Sequence, residues 1–144
     1  MSLFEAINTI SSEIESLTPA SDSDGSFFRA EGVAEPELFG TTKTRGFWFE
    51  TESINIEDTT ATEGFLFLET EMNLVLMYSE MLGNRQDIHT FARQDSIQIM
   101  KHLQELNWSG SVHNVIVESA EFETSEDDEL LVSISLRVVH DETN

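Results

Sequence analysis

The chain has 144 residues, 39% of them hydrophobic, no cysteine, and 28 Asp and Glu against 7 Lys and Arg, for a formal charge of -21. That length is one ordinary domain, able to bury a core without disulfides or a structural metal; no apolar run approaches the roughly 20 residues of a membrane span, and the first residues lack the charged start and greasy core of a signal peptide. The missing cysteines exclude disulfide frameworks, thiolate zinc sites and thiol catalysis, and the acidic balance argues against nucleic-acid binding by a basic surface, leaving a soluble, unexported protein as the expectation.

Along the chain, Ser2 and Glu5 have capping-box spacing, and Leu3, Ile7, Ile10, Ile14 and Leu17 recur at helical intervals until Pro19. These residues predict a first helix. Residues 21–26 are polar and turn-like, and 27–45 hold Gly32, Pro36 and Gly40 without sustained periodicity, so about 19–45 reads as a long loop with room for a short strand. Residues 46–56 favour a strand through Phe47, Trp48, Phe49, Ile54 and Ile56, with a change of buried parity midway that predicts a bulge.

A second strand follows, with Leu66, Leu68, Thr70, Met72, Leu74, Leu76 and Tyr78 on one parity and Glu69, Glu71 and Asn73 on the other. At about 3.3 Å per residue it nears 50 Å, long enough to overhang a small domain and reach a neighbouring subunit. Gly83 and Asn84 break it, and a second helix is expected over 87–106, with Ile88, Phe91, Ala92, Ile99, Leu103 and Leu106 on one face. Residues 111–123 and 130–140 predict a closing hairpin, since Leu130, Val132, Ile134, Leu136 and Val138 alternate with Ser133, Ser135 and Arg137. The order α-β-β-α-β-β predicts one α+β domain over 1–144: an antiparallel sheet of about four strands with both helices on one face.

Only Lys43 and Lys101 are lysines, so the surface is dressed almost wholly in carboxylates. Their repulsion opposes compaction at low ionic strength and is relieved at 1 M salt, where the Debye length is about 3 Å. This is the balance of proteins from salt-loving organisms; an acidic protein of ordinary habitat, charged for solubility or for one surface, is the alternative.

Specific chemistry is not signalled. His89, His102, His113 and His140 lack metal-ligand spacing and read as exposed or core-edge residues. Asp22, Asp24 and Gly25 open like a calcium loop, but its later ligands and closing Glu are absent, so a solvated turn is the reading. With no phosphate loop, nucleophile elbow or dinucleotide fingerprint, no enzyme, cofactor or metal is expected.

Charge distribution is more informative. Residues 118–129 hold seven acids and no Lys or Arg, whereas 87–106 hold three acids and two bases. Arg85, Arg93 and Lys101 could therefore face the acidic hairpin, with Asp127, Asp128 and Glu129, of an adjacent copy; equally, they could neutralise acids of their own subunit.

The order of elements, with the long strand at 64–74, the helix at 87–106 and the strand at 130–139, resembles the tail terminator, or tail-completion, proteins of long-tailed bacteriophages and archaeal tailed viruses. The resemblance implies a virion protein, made in the host cytoplasm, that forms a hexameric ring at the head-proximal end of the tail. There it would end tail-tube polymerisation and join the tail-tube protein to neck or connector proteins, genome DNA passing through without specific binding and no membrane involved. Glu69, Glu71, Glu118, Glu121 and Glu123 would suit a carboxylate-lined channel that repels phosphate, and Leu38 and Phe39 of the loop would suit apolar contact with tube or neck. Phe27 and Phe28, in the same loop, fit either such a contact or the domain's own core. The alternatives are another neck or tail-tube component and, in different classes, an acidic DNA mimic that occupies the basic groove of a host DNA-binding protein or a small enzyme without familiar motifs, which would show a deep pocket with perturbed titratable groups.

Overall fold

A computed structural model of the chain describes residues 2–19, 26–30, 45–56, 65–79, 85–110, 112–124 and 129–143. Helix α1 spans Ser2–Glu15 and helix α2 Arg85–Glu105; the strands are β1 (Phe28–Arg29), β2 (Gly46–Ile56), β3 (Phe65–Ser79), β4 (Val112–Thr124) and β5 (Glu129–Thr143). They form one sheet in the order β1-β2-β3-β5-β4. The β3 to β5 ladder at its centre is antiparallel and in register from Phe65↔Thr143 to Ser79↔Glu129.

The strict alternation in β3 and β5 fixes where the core lies. Met72, Leu74, Leu76 and Tyr78 share one face with Leu130, Val132, Ile134, Leu136 and Val138, and both helices cover it, through Ala6, Ile10 and Ile14 of α1 and Ile88, Ala92, Ile99 and Leu103 of α2. Each large aliphatic side chain buried this way contributes about 1.5 to 3 kcal/mol. Leu17, past the end of α1, packs half-buried against the same core. The expected bulge lies between Thr51 and Ser53 of β2, where the inserted Glu52 moves the inward parity from Phe47 and Phe49 to Ile54.

Two expectations need correction. The sheet has five strands and is mixed, because β1 runs parallel to the start of β2. Its neighbours anchor it: Phe27 is buried in the main core and Ala30 in a second cluster on the opposite face, with Trp48, Val75 and Met77. Backbone bonds from Phe28 N–H to Arg45 O (3.2 Å) and Ala30 N–H to Phe47 O (2.8 Å) complete the pairing. The second correction is His140, which is fully buried and bonded through Nε2 to Thr70 Oγ1 at 2.7 Å. Its inward position follows from the β5 alternation that buries Val138.

A buried polar network joins α2 to the entry of β2. Arg45 precedes β2 with a φ of 73°, a left-handed conformation that costs a residue with a side chain about 1 to 3 kcal/mol. Its N–H donates to Met77 O at 2.7 Å, and its Nε donates to Asp95 Oδ2 at 2.8 Å, with both side chains almost wholly buried. Tyr78 Oη donates to the same oxygen at 2.7 Å, and the guanidinium carbon lies 5.8 Å from the Tyr78 ring centroid. Asp95 sits on the apolar stripe of α2, between Ala92 and Ile99, where an unpaired charge would be untenable.

Replacing Asp95 by Ala leaves the Arg45 charge buried without its main partner, and should lower unfolding free energy by about 3 to 5 kcal/mol in urea titration. A loss under about 1 kcal/mol would show that the network does not hold α2 to the sheet. Burial, and then the charge and hydrogen bond of Asp95, raise the Tyr78 pKa well above its ordinary 10.0. The unfolded chain releases this proton near pH 10 and the folded chain retains it, so stability is intact below about pH 10 and falls as pH rises further. Tyr78 is the only tyrosine, so tyrosinate absorbance should stay silent until circular dichroism reports unfolding; ionisation near pH 10 in a folded chain would contradict this burial.

Candidate functional site

The sheet face away from the helices divides into an apolar and an acidic part. Toward the start of β2 lies the second cluster, Ala30, Trp48, Val75 and Met77, with Leu131 against it. Farther along, the outward parity of β3 and β5 and the bulges of β2 and β4 collect carboxylates. Cross-strand rows run Glu50, Asn73, Ser135, Ser119 and then Ser53, Glu71, Arg137, Ile116. Glu69 follows in the next row, beside Asn55 and Val139.

Short polar side chains and one arginine hold these carboxylates in place. Ser53 Oγ donates to Glu71 Oε2 at 3.0 Å, Trp48 Nε1 to Glu50 Oε1 at 3.2 Å, and Asn73 Nδ2 to Glu52 Oε1. Arg137 Nη1 lies 3.4 Å from Glu69, and its Nε lies 3.4 Å from Glu118. The second contact is an ion pair without hydrogen-bond alignment. Arg137 is the one Lys or Arg on this face among the described residues. Glu52, Glu71, Glu118, Ser119 and Ser135 surround a depression of about 250 Å³.

All five residues expected to line a channel thus share one sheet face. Glu69 and Glu71 come from β3, Glu118 from the second β4 bulge, and Glu121 and Glu123 from the end of β4, in register with Ser133 and Leu131. Sequence reasoning did not find Glu50 and Glu52, which join them. The parity shift expected in 46–56 was the signal, since it turns successive acids of β2 outward together.

Of the six residues expected at a subunit interface, Arg93, Lys101 and Glu129 have described side chains. Arg93 and Lys101 are exposed on α2, flanking Ile97 on one stripe, and Glu129 is half-buried at the start of β5. Neither cation has an ion-pair partner among the described residues. Arg85 is the first residue of α2, and its side chain lies outside the described residues, as do Asp127, Asp128, Leu38, Phe39, Asp22, Asp24 and Gly25. Arg93, His89, Thr90 and Phe122 line one hollow between α2 and β4, about 340 Å³. Ile97, Met100, Lys101, Gln104 and Val117 line another, about 380 Å³.

Among the described residues no group of three or more His, Asp or Glu is placed to hold a metal ion. No helix among them is long and apolar enough to cross a membrane.

No protein-family model matches the chain, and no curated protein matches it. Among solved structures it is similar to a chain of the virion of a native gene transfer agent (GTA) particle, at 10% identity and a TM-score of 0.46, over 66% of this chain and 69% of that one. This is a partial likeness of chain trace to a virion component, and no functional weight rests on it.

Because Arg137 is partly solvated and its contacts are long, its pairing contributes modestly. Arg137→Gln should cost about 0.5 to 1 kcal/mol at low ionic strength, and the loss should fade toward 1 M salt as the freed carboxylate repulsion is screened. A loss that persists undiminished in 1 M salt would show that Arg137 acts through packing and not through charge.

Proposed function

We propose that this chain is a structural virion protein that assembles as a hexameric ring at the head-proximal end of a viral tail, where it ends tube polymerisation and joins the tail to head or neck. The observation that carries the reading is the acidic part of the sheet face away from α1 and α2, where Glu50, Glu52, Glu69, Glu71 and Glu118 gather about a single arginine and Glu121 and Glu123 extend the same face along β4. A face so charged cannot be covered by a protein core, since each desolvated carboxylate would cost several kcal/mol. It suits a water-filled lumen. Turned toward an axis, it repels the phosphates of passing DNA within about a Debye length, roughly 8 Å at physiological ionic strength, and its one cation, Arg137, is already set between Glu69 and Glu118.

The order of elements supports the same reading, as does the contrast between the acidic face and the cations on α2, which suits head-to-tail contact between identical copies. On this reading no step of the role is enzymatic. A halophilic host suits the net charge of -21, because ring closure gathers six such charges and multimolar salt screens them. Another neck or tube component would share most of these features. A DNA mimic would use the same carboxylates as a docking surface, against a basic protein.

Native mass in multimolar salt, alone and with the tail-tube protein of the same virus, tests the proposal. A species six times the chain mass, free or formed on the tube end, is expected. A chain that remains monomeric or dimeric under both conditions would overturn it, and tight binding to a basic nuclease or repressor would favour the mimic.

A further inference from the structure

The sheet has two long edges, and among the described residues no strand covers either. β1 pairs with β2 only at Gly46 and Phe47, which leaves the outer side of β2 from Trp48 to Ile56. At the opposite end β4 closes the strand order, and the one described bond onto its outer side is Val117 N–H to Gln104 Oε1 at 3.0 Å. Open edges of this length are templates for pairing with another chain.

Exposed apolar side chains border these edges. Of the four large hydrophobics that are exposed among the described residues, Ile54 (52%) lies on β2, Phe122 (44%) on β4 and Ile97 (58%) on the turn of α2 above β4. Ile54 is in register with Thr70 and Phe122 with Val132, both inward-facing, so both lean to the helix side of the sheet at its two ends.

We infer that β4 of one copy pairs antiparallel with β2 of the next, so that each sheet continues into its neighbour with the acidic face on one side throughout. The inference deepens the ring reading above and rests on it. Strand polarity argues for a second copy as the occupant. Direction alternates at every step from β2 through β3 and β5 to β4, so a neighbour in the same orientation presents β2 antiparallel to β4.

Like charges disfavour the symmetric contacts. β4 against β4 would oppose Arg93 and Lys101 to their own equivalents, and β2 against β2 would do the same with Glu50 and Glu52. β4 against β2 avoids setting Arg93 and Lys101 against their own equivalents, and places them beside an edge strand that carries no Lys or Arg. The contact is heterologous, and its repetition closes a ring. It also aligns acidic faces side by side, so salt should strengthen assembly.

The test uses two variants, Ile54→Glu and Phe122→Glu, each at an exposed position and each placing a charge on one edge only. Both should keep the wild-type circular dichroism and urea midpoint, and each alone should self-associate on the order of tenfold or more weakly than wild type in multimolar salt or on the tube. Mixed in equal amounts, they should form a heterodimer and stop there, because the intact β4 edge of the first can join only the intact β2 edge of the second. Rings assembled equally by wild type and both variants would overturn edge pairing and leave the ring reading standing. Variants that lose assembly but do not pair when mixed would overturn the head-to-tail contact. A wild-type chain that never self-associates, free or on the tube, would overturn the ring reading itself.

Discussion

The ladder between β3 and β5 is the interaction on which the rest of the molecule depends. Its two strands, 15 residues each, alternate so regularly that one face is aliphatic and the other polar for most of their length. A one-residue slip would turn Met72, Leu74 and Leu76 to water and Glu69, Glu71 and Asn73 to the core. That penalty fixes the register, and the register decides which face the helices cover. It also decides where the carboxylates of β2 and β4 must go, because their bulges are set against this central pair.

The polar network of Arg45, Asp95 and Tyr78 solves a different problem. Hydrophobic packing places α2 over the sheet without fixing its azimuth closely, whereas a buried carboxylate with two donors has few acceptable positions. Because Arg45 also bonds through its backbone to Met77 and Phe28, the same residue fixes the entry of β2 and its short partner β1. Buried ion pairs seldom add net stability over an apolar core of equal volume. Their value here is positional: the network sets the α2 face that bears Arg93, Ile97 and Lys101 beside the β4 edge.

Much of this was legible in the sequence, for identifiable reasons. Long periodic segments carry their boundaries with them: the alternation read over 66–78 became β3 at Phe65–Ser79, and the helical face read over 87–106 became α2 at Arg85–Glu105. The β2 bulge was visible as a parity change. His140 was visible in principle, since it continues the inward parity of β5, but residue type argued for the surface and alternation prevailed. Asp95 gave a weaker sign, a charge on an apolar stripe. Nothing local announced its partner, which lies 50 residues away in sequence. β1 was legible only as room for a short strand in the 19–45 loop, because two residues carry no periodicity that would place it or show its parallel pairing. The acidic face was half legible: residue parity gave Glu69, Glu71 and Arg137 and the parity shift in 46–56 signalled Glu50 and Glu52, but only the strand order put them on the same surface.

The proposed function addresses three boundaries of the sheet: the acidic part of one face, where each desolvated carboxylate would be costly, and two edges with no strand beside them among the described residues. The proposed ring of identical copies would join the edges to each other and give the acidic surface to water at the axis. The orientation of that face can be measured directly. Because the chain has no native cysteine, spin labels can be placed singly through Ser135→Cys on the acidic face and Gln94→Cys on the exposed side of α2. In the assembled particle, dipolar spectroscopy should give shorter distances between copies for the Ser135 label than for the Gln94 label. Longer distances from Ser135, or none between copies at either site, would contradict an inward-facing acidic sheet.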